Sequence, residues 1–255
     1  MINLASTSAL PFVTVAPDGD RLGVRQLADR PGSRLIISRD APPGAVEQYR
    51  RLAATLHHAQ QQAGLRAVMV ASAMPTEGKT LTAANLAVTL SESYRRRVLV
   101  IDADLRRPTM HVVFQLPNLS GLNEALGGSP HRPSAFQVSP HLTVLPAGRP
   151  TPDPMGALTS QKMGDLIRDA SAAYDWVIVD TPPVGLLSDA NLLARIVDGV
   201  VMVISAGKVS YKLIQRSVDA VGRERILGVV LNRANDALLS TPYRYNNYYG
   251  YGPKA

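Results

Sequence analysis

The stretch Ala71–Thr80, ASAMPTEGKT, restricts what this chain can fold into more than any other part of it. Before it, Arg66–Val70 (RAVMV) is an apolar run that reads as a buried strand. After it, Leu81–Leu90 (LTAANLAVTL) carries Ala and Leu at helical spacing. The segment is therefore strand, tight loop, helix. The loop closes on Gly78-Lys79-Thr80, the second half of the pattern G-x-x-x-x-G-K-[ST]. A helix start offers unpaired N–H groups and the positive end of its dipole, both suited to phosphate oxygens. Gly78 lets backbone approach closely. Lys79 can neutralise the β- and γ-phosphates of ATP, and the Thr80 hydroxyl can take a position on Mg²⁺. Pro75, Thr76, Glu77, Gly78, Lys79, Thr80 and Leu81 are thus the candidate nucleotide contacts. Ala73 stands where the first Gly would be, which preserves close approach only if φ there is negative. The competing reading, a chance GKT at a helix start, is opposed by the strand and helix on either side.

Two more apolar runs end in carboxylates. Val98–Ile101 (VLVI) leads into Asp102-Ala103-Asp104-Leu105-Arg106-Arg107-Pro108, and Trp176–Val179 (WVIV) into Asp180-Thr181-Pro182-Pro183. A nucleotide site needs carboxylates near Mg²⁺, directly or through water, and an Asp at the end of a buried strand is the usual source. Each has a plain structural alternative: a solvated turn paired with Arg106 for Asp102 and Asp104, turn chemistry for Asp180. Together, beside the phosphate loop, they read as one site. Asn232, at the end of the last apolar strand, is a weaker candidate for contact with the adenine ring.

The other segments fit the same frame. Leu35–Ser38 reads as a short edge strand and Ala45–Gln62 as a helix burying Val46, Tyr49, Leu52, Ala53 and Leu56. Residues 109–140 read as irregular, Leu142–Leu145 as a strand, and Ser160–Ala173 and Ser188–Arg195 as helices. Gly199–Ile204, Ser210–Val221 and Ile226–Leu231 read as strand, helix, strand. Near-continuous apolar strands alternating with helices imply an α/β fold, a parallel sheet with helices on both faces, and sites in such sheets gather at the carboxyl ends of the strands. The expected organisation is a variable, poorly ordered extension over 1–33, a nucleotide-binding domain over 34–235 and a flexible tail over 236–255.

Composition narrows the chemistry. The chain has 255 residues and no Cys, which removes disulfides, thiolate metal sites and a cysteine nucleophile. Its net charge is +7, dispersed apart from Arg95-Arg96-Arg97 and Arg106-Arg107, so nucleic acid is not an expected partner. No apolar run approaches the ~20 residues of a membrane helix, and the N-terminus lacks the pattern of a secretory signal, so a cytoplasmic address is the default expectation. Five of the nine tyrosines lie after residue 240.

In Ala73–Thr80, VLVIDADLRRP at 98–108 and WVIVDTPP at 176–183, supported by LPAGRPTPDP at 145–154, Ser188-Asp189-Ala190 and the tyrosine cluster, the sequence resembles the bacterial tyrosine kinases of capsule and exopolysaccharide synthesis. These lie within the MinD/ParA-like P-loop ATPases. The resemblance implies a P-loop NTPase-type fold and an ATP- and Mg²⁺-dependent protein-tyrosine autokinase. Lys79 would hold the phosphates and Thr80 the Mg²⁺. Asp102 would orient the acceptor hydroxyl or take its proton, and would also contact Mg²⁺. Asp104 and Asp180 would bind Mg²⁺ largely through water. Tyr243, Tyr245, Tyr248, Tyr249 and Tyr251 would be the autophosphorylation sites, presented to a neighbouring subunit. The resemblance further implies a Wzz-like membrane polysaccharide co-polymerase as activator, a protein-tyrosine phosphatase, self-association in a ring, and a place at the inner face of the cell membrane. Of the family's subunit-contact pattern E-x-x-R-x-x-R-x-N, Glu47 and Arg50 are present, while Ala53 and Thr55 replace the second Arg and the Asn. Thr76 also departs from the family, which usually has a Gly-like residue there. Two other readings stay open: a positioning ATPase of the MinD/ParA type, opposed by the absence of a lysine at Ala73-Met74-Pro75, and a non-catalytic adaptor that keeps the fold.

Overall fold

The computed structural model describes residues 10–15, 23–30, 33–128, 132–185 and 192–234. The elements in order are β1 (Val13–Val15), α1 (Val24–Ala28), α2 (Pro43–Ala63), β2 (Ala67–Ser72), α3 (Lys79–Glu92), β3 (Val98–Asp102), α4 (Met110–Val113), α5 (Leu122–Gly127), β4 (Ser134–Ser139), β5 (Leu142–Leu145), α6 (Pro154–Leu158), α7 (Gln161–Ala173), β6 (Trp176–Asp180), β7 (Gly199–Ser205), α8 (Tyr211–Val221) and β8 (Ile226–Asn232). The strands form one sheet in the order β1-β4-β5-β3-β6-β2-β7-β8. Pairing is parallel from β5 to β8, and β4 lies antiparallel to β5. The sheet is thus mostly parallel, with β1 and β4 running against the rest.

Every residue of β2, β3 and β6 is buried, as expected of strands covered on both faces. One face packs against α2 and α3 and the other against α5, α6 and α7. α3 presses hard on the sheet because its contact residues are small: Ala83, Ala84 and Ala87 are fully buried with Leu86 and Leu90. α2 opens with Pro43 in its first turn and stops at Gly64, whose φ of 69° ends the helix in the left-handed region.

Three expectations meet a different structure. Leu35–Ser38 is a turn, not an edge strand. Leu35 and Ile36 are buried against α3, where the Asn85 carboxamide substitutes for a strand partner by accepting from Ile36 N at 2.8 Å and donating to Arg34 O at 3.1 Å. The 109–140 stretch, read as irregular, contains α4, α5 and β4. Within 1–33, expected to be poorly ordered, Leu10, Phe12, Val24 and Leu27 are buried in the core, and β1 extends the sheet beside β4. Those elements escape a periodicity reading because each is short and is stabilised by contacts distant in sequence. Of the helix expected over Ser188–Arg195, residues 188–191 lie outside the described residues, 192–193 are helical and 194–195 form a turn; the tail tyrosines lie wholly outside the described residues. Among the described residues no helix is long and apolar enough to cross a membrane.

Candidate functional site

The loop between β2 and α3 is fastened from beneath. The Glu77 carboxylate is 2% exposed and accepts from Met74 N at 2.6 Å and from Ser205 N, at the end of β7, at 2.9 Å. Ser72 Oγ donates to Met74 O at 2.7 Å. Asn232 Nδ2, at the end of β8, donates to Glu77 O at 2.7 Å. Gly78 begins α3 with φ 98°, and a Cβ there would lie 2.2 Å from Asn232 Nδ2, so both conformation and space require glycine. Ala73 does not take a positive φ, so its methyl adds no strain. Thr76 does, at 64°; a β-branched residue there is uncommon and strained.

Three strand ends converge on this loop. Lys79 Nζ lies 2.8 Å from Asp104 Oδ2, 3.8 Å from Asp180 Oδ1 and 3.5 Å from Thr80 Oγ1. Burial opposes the charge of Lys79, but Asp180 and Asp104 outweigh it and raise its pKa. Burial pushes Asp180 up to about 6 against the pull of Lys79, and among the described residues neither of its buried carboxylate oxygens has a hydrogen-bond partner. Burial, reinforced by the charge of Asp180, pushes Asp102 up to about 8. The Asp102 carboxylate is fully buried: it accepts from Thr109 N at 3.1 Å, Met110 N at 2.9 Å and Asp104 N at 3.2 Å, and so fixes the start of α4.

Above these groups opens a cavity of about 620 Å³, lined by Pro75, Thr76, Gly78, Lys79, Thr80 and Leu81 and by Asp104, Pro182, Pro183, Arg34 and Arg233. That volume suits a nucleotide-sized ligand. Of the candidate residues, the structure brings together Lys79, Thr80, Asp104 and Asp180. Asp102 lies beneath the cavity, bound to backbone. Glu77 turns away from it, and Asn232 buttresses the loop instead of lining the cavity. Glu47 and Arg50 are exposed on α2, where Glu47 pairs with Arg51 at 3.4 Å. Among the described residues no group of three or more His, Asp or Glu side chains forms a metal cage. The donors nonetheless suit Mg²⁺, which keeps most of its water and prefers oxygen ligands: a hydroxyl on Thr80, a carboxylate on Asp104 and the orphaned oxygens of Asp180. Sequence reasoning missed Arg34 and Thr109 in the lining, the Ser205 backbone anchor and the Asn85 clamp. Of these, only an Asn facing inward from an Ala-rich helix left a trace, a polar residue within an apolar run.

A family model described as the CobQ/CobB/MinD/ParA nucleotide binding domain matches residues 68–244. Tyrosine-protein kinase YwqD of Bacillus subtilis (strain 168) is 40% identical over 209 residues, which are 79% of this chain and 88% of that protein. This chain belongs to the bacterial tyrosine kinase family. Similarity to other bacterial tyrosine kinases extends to structure: the kinase domain of Escherichia coli tyrosine kinase ETK superposes with a TM-score of 0.71 at 29% identity, covering 89% of this chain and 92% of that one. The succinoglycan biosynthesis transport protein ExoP of Rhizobium meliloti (strain 1021) is 32% identical over 237 residues, 85% of this chain but 30% of that protein.

Proposed function

We propose that this bacterial tyrosine kinase uses ATP and Mg²⁺ to phosphorylate tyrosines in its own C-terminal segment, and that this regulates exopolysaccharide or capsule synthesis. The observation that carries the reading is the meeting of Lys79, Thr80, Asp104 and Asp180 under one cavity, in a chain that ends in five clustered tyrosines. Lys79 and the N–H groups at the start of α3 hold the phosphates. Thr80 and Asp180 would hold Mg²⁺, which when bound would neutralise charge on the transferring group. Asp104 lines the cavity and takes the proton of the phenol as its oxygen bonds to the γ-phosphorus and the bond to ADP breaks. Asp102 orders α4 from below; to serve as the base itself it would have to release Thr109 and Met110.

The membrane side of the proposal rests on the relatives. ExoP is by its name a transport protein of succinoglycan biosynthesis, which supports a Wzz-like activator and a position at the inner face of the membrane. Self-association through the α2 residues Glu47 and Arg50, and a phosphatase that resets the tail, complete the reading.

Intact-mass measurement after incubation with ATP and Mg²⁺, with the activating membrane segment supplied, tests it. Mass gains in steps of one phosphate are expected, absent from Lys79→Met and from a chain ending at Leu239. ATP hydrolysis that Lys79→Met abolishes, without any mass gain, would instead indicate a positioning ATPase. Neither gain nor hydrolysis would indicate an adaptor.

A further inference from the structure

Both ends of the Asn232 carboxamide are taken up by the protein. Its Nδ2 donates to Glu77 O at 2.7 Å, and its Oδ1 accepts from Arg233 N at 2.9 Å. The residue expected to meet the base is thus engaged with the loop, and it is the next one, Arg233, that lines the cavity. Arg233 reaches it from a backbone φ of 57°, a conformation that is uncommon outside glycine, asparagine and aspartate and costs free energy. Such outliers persist where surrounding contacts hold them, and they cluster at ligand sites. Here the Asn232 carboxamide does the holding, through Arg233 N. Thr76, the residue of the phosphate loop with a positive φ, lines the same cavity. Arg233 is exposed, and among the described residues its guanidinium has no hydrogen-bond or ion-pair partner. It is held by its main chain and free at its tip.

The order of the strands orients a nucleotide over this loop. Asp104 follows β3 and Asp180 ends β6, both on one side of β2 and its phosphate loop, while β7 and β8 lie on the other side. The transferring end of the nucleotide belongs with the carboxylates. Its nucleoside end then extends toward β8, two strand spacings from β2, or about 10 Å at ~4.8 Å each. We propose that Arg233 holds the base, its guanidinium lying flat against the face of the purine. A guanidinium plane is a stacking surface for nucleic-acid bases, and its charge attracts an aromatic face. Resting on the nucleotide half of the kinase reading, this role is independent of which hydroxyl receives the phosphate. The strained backbone has a use on these terms: it aims a long, planar cation across the nucleoside end of the cavity, while the carboxamide beside it keeps the phosphate loop in place.

Calorimetry on the full-length chain with Mg²⁺ tests it, with ADP and ribose 5-diphosphate, which is ADP without its base, as the two probes. Arg233→Asn and Arg233→Gly both accept the positive φ and both remove the guanidinium, so they separate the side chain from the backbone that carries it. Each should raise the Kd of ADP about fivefold or more while the Kd of ribose 5-diphosphate stays within about twofold. Arg233→Lys, which keeps the charge without the plane, should fall between them and the unaltered chain. Equal losses for the two probes would put Arg233 on the phosphates or ribose and overturn the proposal. An unchanged ADP affinity would overturn it, as would full rescue by lysine, which would mark a point charge instead of a stacked plane. An unaltered chain that binds neither probe overturns it together with the nucleotide reading of the cavity. A chain that shows the expected pattern with both probes, yet gains no phosphate mass from ATP, supports the role of Arg233 and refutes the kinase reading alone.

Discussion

Replacing Thr76 by Gly should stabilise the nucleotide-free protein, although the residue lies in the most function-laden loop of the chain. Thr76 has φ 64° and is exposed, and its side chain makes no hydrogen bond among the described residues, so little packing is lost with it. An L-residue in the left-handed region pays roughly 1–2 kcal/mol. Glycine removes that strain but adds about 0.5–1 kcal/mol of chain entropy to the unfolded state. The balance is a gain of up to about 1.5 kcal/mol. For a chain of this size, each kcal/mol moves Tm by roughly 2–4 °C. Ala54→Gly, on the exposed side of α2, is the matched control, expected to cost about 1 kcal/mol as glycine does inside a helix. Thermal and urea unfolding without nucleotide would measure both variants. If Thr76→Gly loses stability as Ala54→Gly does, the strain assigned to Thr76 is not there. Relief of strain in the loop should also leave ATP affinity equal or higher, measurable by calorimetry.

Glu77→Gln should lower stability by roughly 2–4 kcal/mol and weaken nucleotide binding, because one of the two N–H groups that the carboxylate accepts would face an amide donor; urea unfolding checks it. Gly78→Ala should abolish nucleotide binding while the far-ultraviolet circular dichroism stays native, since the new methyl meets Asn232 at the loop itself. In the metal-free protein, burial raises Asp102 to about 8 and Asp180 to about 6, so the folded state binds protons that the unfolded state releases near pH 4. The contribution of these groups is fully present below pH ~4 and is lost as pH rises through about 6 and 8. Tm should therefore fall between pH 5 and 8.5, and Asp102→Asn should flatten the upper part of that decline; a Tm that rises across the interval would contradict it.

The centre of the sheet was legible because each of its strands announces itself locally. RAVMV, VLVI and WVIV are apolar without interruption, and each runs into residues whose chemistry needs a strand end. The periphery was not. Val13–Val15 and Ser134–Ser139 become strands only by pairing with each other and with β5, a contact no local window contains. Leu35 and Ile36 carry the apolar pattern of a strand, but their hydrogen bonds go to a side chain on α3. Within the site, the pattern D-x-D reads alike whether a carboxylate faces solvent or backbone. Only the path of the chain to Thr109 and Met110 distinguishes Asp102 from Asp104.

Because Glu77 and Asn232 fasten the phosphate loop to the ends of β7 and β8, the loop has one shape before any nucleotide arrives. Such a receptor has nothing to wait for. Encounter and capture become a single event whose observed rate climbs linearly with nucleotide concentration, without the plateau that a slow isomerisation of the loop would impose.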